Sequence, residues 1–185
     1  MQENLRTIEQ SVMRIDRIVL DLMDTVSIEQ GRLALSLVPS DLSGLLYSAK
    51  KDYCSHPSSK NNQLVLTTQS GLPEISADPE RLIQVITNLI SNADRHTQNG
   101  TITISLTGEP GWQTICVSDT GTGMSEEMRK NALKGYVSAD KDYWRHGIGL
   151  YVCHQIITAH GGKIWLKSQE GEGTQVFFSL PEEES

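Results

Sequence analysis

The chain has 185 residues, enough for one well-packed domain with an appendage, and its 37% hydrophobic and 21% charged content is ordinary for a globular protein. A formal net charge of -7 argues against broad binding to nucleic acid or to an anionic membrane surface, although a local basic site is compatible with it. Cys54, Cys116 and Cys153 are odd in number and lack Cys-x-x-Cys spacing, so they predict reduced thiols of a cytosolic protein rather than a disulfide or zinc framework; no apolar run reaches transmembrane length and no signal peptide is visible.

From the N-terminus, Leu5, Ile8, Val12, Ile15, Val19, Leu22 and Val26 recur in steps of three and four, with charges such as Glu9, Arg14, Asp16, Arg17, Asp21 and Asp24 off the seam. This heptad stripe predicts a coiled-coil-like helix over residues 1–30. One narrow stripe cannot bury itself, so a partner helix is implied. After Gly31 the pattern turns to alternation, and Leu33, Leu35 and Leu37 are expected on one face of a strand. Asp41 is placed to cap a helix carrying Leu42, Leu45 and Leu46. "SHPSSKNN" reads as a loop and "QLVLTT" as a second strand.

"ISADPERLIQVITNLISNADRHT" puts Asp78 at a helix cap and Pro79 at the first helical position, a strong start signal. Its apolar arc is Leu82, Val85, Ile86, Leu89, Ile90 and Ala93. Asn88, Asn92 and Arg95 form a polar stripe along one edge of the arc, with His96 near the boundary. "GTITISLT" and "WQTICVSD" predict an antiparallel pair across "GEPG". A second apolar helix is expected from about Gly147 to His160, stopped by Gly161 and Gly162. "KIWLKSQ" and "TQVFFSLP" close the chain as a hairpin around "EGEG". Helices mixed with hairpins predict an α+β class, a two-layer α/β sandwich of a mixed sheet with helices on one face.

Three features between these elements carry chemistry. A carboxamide oxygen such as that of Asn92 can ligate magnesium, and Arg95 and His96 can contact phosphate oxygens. "DTGTGM" ends a strand on Asp119 and follows it with Gly121 and Gly123. "HGIGLYV" places Gly147 and Gly149 at a loop-to-helix junction, where backbone N–H groups can approach a phosphate. Three polar residues on a helix edge are by themselves a solvated face, and a lone Gly-x-Gly is frequently only packing. Together the three supply parts for one nucleotide site: metal, base recognition and phosphate.

In the order "NLISNADRHT", "DTGTGM", "GIGLYV", "HGGKIWLKS" and "GEGTQVFFSLP", residues 31 to 182 resemble the ATP-binding catalytic domain of bacterial sensor histidine kinases, within the GHKL ATPase superfamily. "DTVSIEQGRL" and the heptad helix similarly resemble the second helix of the dimerisation and phosphotransfer domain that precedes it. The resemblance implies a division into residues 1–30, part of that domain, and 31–185, the catalytic domain, with a mobile lid at about 124–146. It implies ATP and Mg2+ as ligands and transfer of the γ-phosphate to a histidine.

By the same resemblance Asp119 accepts a hydrogen bond from the adenine amine, which selects ATP over GTP, since guanine presents a carbonyl there. Gly121 and Gly123 keep the turn thin beside the base, with Met124 following. Asn92 ligates magnesium, Arg95 stands where lysine is usual and contacts phosphate, His96 matches a position often held by tyrosine or histidine, and Thr174 supports Asp119. Lys141 and Arg145 are implied phosphate contacts in the lid. His146, Gly147, Ile148, Gly149 and Leu150 form the second glycine element, and Tyr136 is the nearest counterpart of an aromatic box. Asn88 occupies the position where hydrolytic relatives carry a glutamate that activates water. An asparagine cannot act as a general base, so it favours phosphoryl transfer, with catalysis resting on positioning.

The sequence departs from the pattern in several ways, the missing first helix of the phosphotransfer domain and the weak aromatic box among them. None of His56, His96, His146, His154 and His160 sits in a phosphoacceptor motif. "RHGIGL" also lacks a common upstream glycine. The chain is therefore expected to be a fragment of a longer kinase, the cytoplasmic part of a homodimer that acts on a phosphotransfer domain and through it on a response regulator. A regulatory ATP-binding module of a degenerate kinase and an anti-sigma-factor-type serine kinase are the alternatives; the heptad helix speaks against the second.

Overall fold

The computed structural model describes residue 30 and residues 33–55, 60–133 and 148–182. The heptad helix predicted over 1–30 lies outside the described residues, apart from Gln30. The chain runs β1 (Val38–Ser40), α1 (Leu42–Ser55), β2 (Gln63–Thr68), β3 (Ile75–Ala77), α2 (Pro79–His96), β4 (Thr101–Glu109), β5 (Trp112–Asp119), α3 (Glu126–Asn131), α4 (Ile148–Ala159), β6 (Lys163–Gln169) and β7 (Gly173–Pro181).

Five strands form a mixed sheet in the order β2-β4-β5-β7-β6. β2 and β4 are parallel, and the chain between them crosses over through β3 and α2. The remaining neighbours are antiparallel. Strand alternation makes the sheet two-faced. Ile102, Ile104 and Leu106 of β4, Ile115 and Val117 of β5, and Val176, Phe178 and Leu180 of β7 are buried. They pack with Leu82, Val85, Ile86 and Leu89 of α2, Val152, Cys153, Ile156 and Ile157 of α4, and Leu42 and Leu46 of α1 in one core. On the opposite face Trp165 and Phe177 stack with centroids 5.4 Å apart. The fold is thus α+β with helices over one face of a mixed sheet, as the pattern predicts.

The predicted starts and stops hold. Asp41 accepts hydrogen bonds from the N–H groups of Ser43 and Gly44 at 2.9 and 3.0 Å. Asp78 accepts from those of Glu80 and Arg81 at 3.1 Å each, with Pro79 in the first turn. Asp78 also accepts from the Ser36 N–H at 2.9 Å, which ties the segment before β1 to the start of α2. Burial raises the Asp78 carboxyl, but the N–H groups of Ser36, Arg81 and Glu80 and the nearby His160 outweigh it and hold the group below the ordinary carboxylate value. His160, just past the end of α4, accepts from the Asp78 N–H through Nε2 at 3.0 Å, while its Nδ1 lies 2.8 Å from the Ile156 carbonyl. Gly161, at φ +73°, ends α4 in the left-handed conformation that favours glycine.

One expectation needs correcting. The strand predicted on Leu33, Leu35 and Leu37 is instead a three-residue strand at Val38–Ser40, and Leu37 is 53% exposed. Its partner is β3, itself only three residues long, so the ladder ends before it reaches the leucines. β3 was not foreseen: three residues are too few to display alternation. The tract expected as a lid begins with helix α3, capped by Ser125; its part from 134 to 146 lies outside the described residues.

Candidate functional site

The site begins with a row of polar residues where the sheet should be apolar. The inward registers of β5, β7 and β6 carry Ile115, Val117, Val176, Phe178, Ile164 and Leu166. One row further on they carry Asp119, opposite Thr174, itself opposite Ser168. This row borders a cavity of about 580 Å³ between the sheet, α2, α3 and the start of α4. Leu89, Ala93, Val117, Met124, Met128, Leu150 and Val176 supply apolar wall, while Asn92, Arg95, His96, Asp119 and Thr174 supply polar groups.

Asp119 is 8% exposed yet lines this cavity. Its Oδ1 accepts from the Gly121 N–H at 2.8 Å. Burial pushes its carboxyl above the ordinary value, against the pull of the Gly121 and Thr174 N–H groups and the Thr97 hydroxyl. A buried carboxylate with acceptor capacity toward an apolar slot is costly unless a donor meets it.

The glycines follow from contact distances. A Cβ on Gly121 would sit 2.3 Å from the His96 carbonyl oxygen. On Gly123, at φ +67°, it would sit 1.9 Å from the Gln169 carbonyl oxygen. No side chain fits either position, so the turn after Asp119 lies flat between the end of α2 and the β6–β7 hairpin. The Thr122 N–H donates to the His96 carbonyl at 3.2 Å, and the Gly171 N–H donates to the Thr122 carbonyl at 2.8 Å.

The polar stripe of α2 divides in two. Asn92, Arg95 and His96 line the cavity. Asn88, expected on the same polar stripe as a site residue, is 2% exposed and is not among the described lining residues. It lies under the start of α4, where a Cβ on Gly149 would be 3.8 Å from its Nδ2 and 4.0 Å from that of Asn92. These are ordinary contact distances, so the start of α4 lies over both carboxamides with room for a side-chain carbon at Gly149. Of the remaining predicted residues, Met124, Gly123, Leu150 and Thr174 line the cavity, while Gly121 shapes its turn from outside. Tyr136, Lys141, Arg145, His146 and Gly147 lie outside the described residues, as does the Ile148 side chain.

Sequence reasoning missed Ser168 and Thr97. The Ser168 hydroxyl accepts from the Met124 N–H at 2.9 Å and lies 2.9 Å from both the Gly173 carbonyl and the Thr174 hydroxyl. It so fixes the turn beyond Gly123 to the row below it. Its signal was present: a polar residue on the inward register of β6, following Ile164 and Leu166. Thr97 ends α2 and is 1% exposed, a burial that no local pattern announces.

Chemically, the cavity suits a ligand with a flat apolar part, a hydrogen-bond donor at Asp119 and an anionic part near Arg95, His96 and the α4 N-terminus. Among the described residues no cluster of three or more His, Cys, Asp and Glu could hold a metal ion. Among the described residues no helix is long and apolar enough to cross a membrane.

A fold of this kind with this site is that of a GHKL-type ATPase domain, and comparison with known proteins agrees. Residues 77–184 match the family model described as histidine kinase-, DNA gyrase B- and HSP90-like ATPase, and the chain belongs to that family. It is 39% identical over 127 residues to the adaptive-response sensory kinase SasA of Synechococcus elongatus, covering 66% of this chain and 33% of that protein. It is 34% identical to the sensor histidine kinase ZraS of Escherichia coli, over 91% of this chain and 35% of that protein. The structure of full-length ShkA in complex with AMPPNP superposes with a TM-score of 0.80 at 25% identity, covering 97% of this chain and 38% of that one. The chain thus spans about a third of these relatives' length.

Proposed function

We propose that this chain is the ATP-binding catalytic part of a sensor histidine kinase, transferring the γ-phosphate of ATP to a histidine on a phosphotransfer domain. The observation that carries the reading is the buried Asp119 at the end of an apolar slot, with Asn92, Arg95 and His96 along the wall beside it. Asp119 would accept the adenine amine, and the thin turn of Gly121 and Gly123 would let the base lie against Val117 and Leu150. Arg95 and His96 would contact phosphate oxygens, and Gly149 would bring the α4 N-terminus to the same anionic end. Lys141 and Arg145, in the tract proposed as the lid, would add charge from above.

The donor set fits a magnesium ion: Asn92 offers a carboxamide oxygen at the cavity wall, and magnesium typically takes few protein ligands alongside phosphates. Such an ion would neutralise charge between the phosphates. Asn88 supports transfer rather than rapid hydrolysis, because a carboxamide beneath Gly149 cannot take a proton from water. Residues 1–30 are proposed as part of the dimerisation and phosphotransfer domain, which would make the longer protein a homodimer and a cytoplasmic response regulator its downstream partner.

The test is phosphoryl transfer from γ-labelled ATP to a separately supplied histidine phosphotransfer domain. Label on histidine, lost in an Asp119→Ala variant that remains folded, is the expected result. Binding of ATP without labelling of several such domains would instead favour a regulatory module.

A further inference from the structure

Helix α2 ends without a glycine: its C-cap, Thr97, is extended. The carbonyls of the last turn, which no intrahelical N–H reaches, need partners from elsewhere. They find them in two places. The His96 carbonyl accepts from the Thr122 N–H, in the turn that follows Asp119. The others are met from the segment before β2. Asn62 Nδ2 donates to the Thr97 carbonyl at 3.0 Å and approaches the Asp94 carbonyl at 3.4 Å, and Lys60 Nζ donates to the Arg95 carbonyl. Asn62 reaches further still. Its Nδ2 meets Asp94 Oδ1 at 2.9 Å, where the Tyr53 hydroxyl also donates at 2.6 Å. Its own oxygen accepts from the Gly100 N–H at 3.1 Å. One half-buried asparagine thus holds both ends of the turn from α2 to β4.

That turn joins the two halves of the proposed nucleotide site. Arg95 and His96 leave α2 just before it, and Thr97 and Thr120 both pack against Gly100 within it. We infer that Asn62, remote from the cavity wall, is a positioning residue that sets the register between the phosphate-side residues of α2 and the base-side turn at Asp119. The inference rests on the ATP reading above. Loss of Asn62 therefore lowers affinity most for ligands that engage both halves at once, and least for those that engage the base side alone.

The experiment compares the parent, Asn62→Ala and the exchanged pair Asn62→Asp with Asp94→Asn, in calorimetric titrations with ATP and with adenosine, and in amide hydrogen exchange of the ligand-free proteins. In Asn62→Ala the ratio of ATP to adenosine affinity is expected to fall by about tenfold or more, since small misplacements of positioned groups are costly. Exchange at the Thr122 amide is expected to speed by about tenfold relative to Phe178 in the core. The exchanged pair restores a donor facing an acceptor between the two side chains but leaves the Thr97 carbonyl without its donor. It is therefore expected to recover little of either effect; full recovery would show that the Asn62–Asp94 contact, not the hold on the turn, matters. A folded Asn62→Ala protein with a lower melting temperature but the parent's affinity ratio and Thr122 exchange overturns the inference and leaves Asn62 a structural staple. A parent that binds neither ligand contradicts the ATP reading instead, and the exchange measurement still judges whether Asn62 governs the Thr122 turn.

Discussion

At the residue scale, Asp119 couples stability to pH and, in the proposed function, to ligand binding. Its carboxyl is raised by burial, so the folded chain holds this proton more tightly than the unfolded chain. Between the ordinary value and the raised one the folded state binds more protons. The group's contribution to stability therefore declines as pH rises through that window and stays low above it. Asp119→Asn removes the titration and keeps an oxygen for the Gly121 N–H. Its melting temperature relative to the parent should be highest above the window and should lose that advantage on acidification; calorimetric melting from about pH 3 to 8 checks the trend. The proposed adenine recognition runs the other way. The amine needs an acceptor, so ATP affinity in the parent should weaken as pH falls through the raised value.

Asn92 makes a separate prediction at the same scale. If its carboxamide holds the metal, Asn92→Ala should abolish the dependence of ATP binding on magnesium while sparing adenosine binding. Equal magnesium sensitivity in variant and parent would remove Asn92 from that role. Asn88 offers a contrast. Periodicity put it on the same stripe, but helix spacing alone does not say what will be laid on top, and α4 buries it.

At the element scale, the N-terminus of α2 is a junction. Asp78 gathers N–H groups from Ser36, Glu80 and Arg81, and its own N–H is taken by His160 beyond the end of α4. Asp78→Ala should cost about 1–2 kcal/mol of stability at neutral pH, in the range of lost helix caps. Because the Asp78 carboxyl is held low, its stabilisation is present above the ordinary carboxylate value and is lost as pH falls through the lowered one. The difference between variant and parent should accordingly shrink on acidification, as denaturant melts at several pH values would show.

Elements with strong local signals were legible in the sequence. Asp78-Pro79, Asp41 and Gly161-Gly162 marked helix ends because capping is decided by a few adjacent residues. β4, β5, β6 and β7 showed alternation over seven or more residues. What escaped was set by partners far along the chain. β1 is as long as β3 permits, and Ser168 and Thr97 matter because of what faces them across the sheet and under the turn.

At the scale of the whole molecule, the sheet and the helices meet along a wedge that opens where the apolar rows give way to Asp119, Thr174 and Ser168. Order of motifs pointed here before any geometry: the resemblance to histidine kinases implies Asp119, Asn92 and Thr174 around one ligand, and all three line one cavity. Geometry adds how the cavity wall is built: by the flat turn of Gly121 and Gly123, the start of α4 over Asn88 and Asn92, and the stapled end of α2. The most direct test is calorimetric titration of the purified chain with ATP and GTP, with and without magnesium, alongside Asp119→Ala. Adenine-selective, magnesium-dependent binding that vanishes in the folded variant is the expected result. A folded parent that binds ATP and GTP alike, or an Asp119→Ala protein that binds ATP as the parent does, would contradict the account.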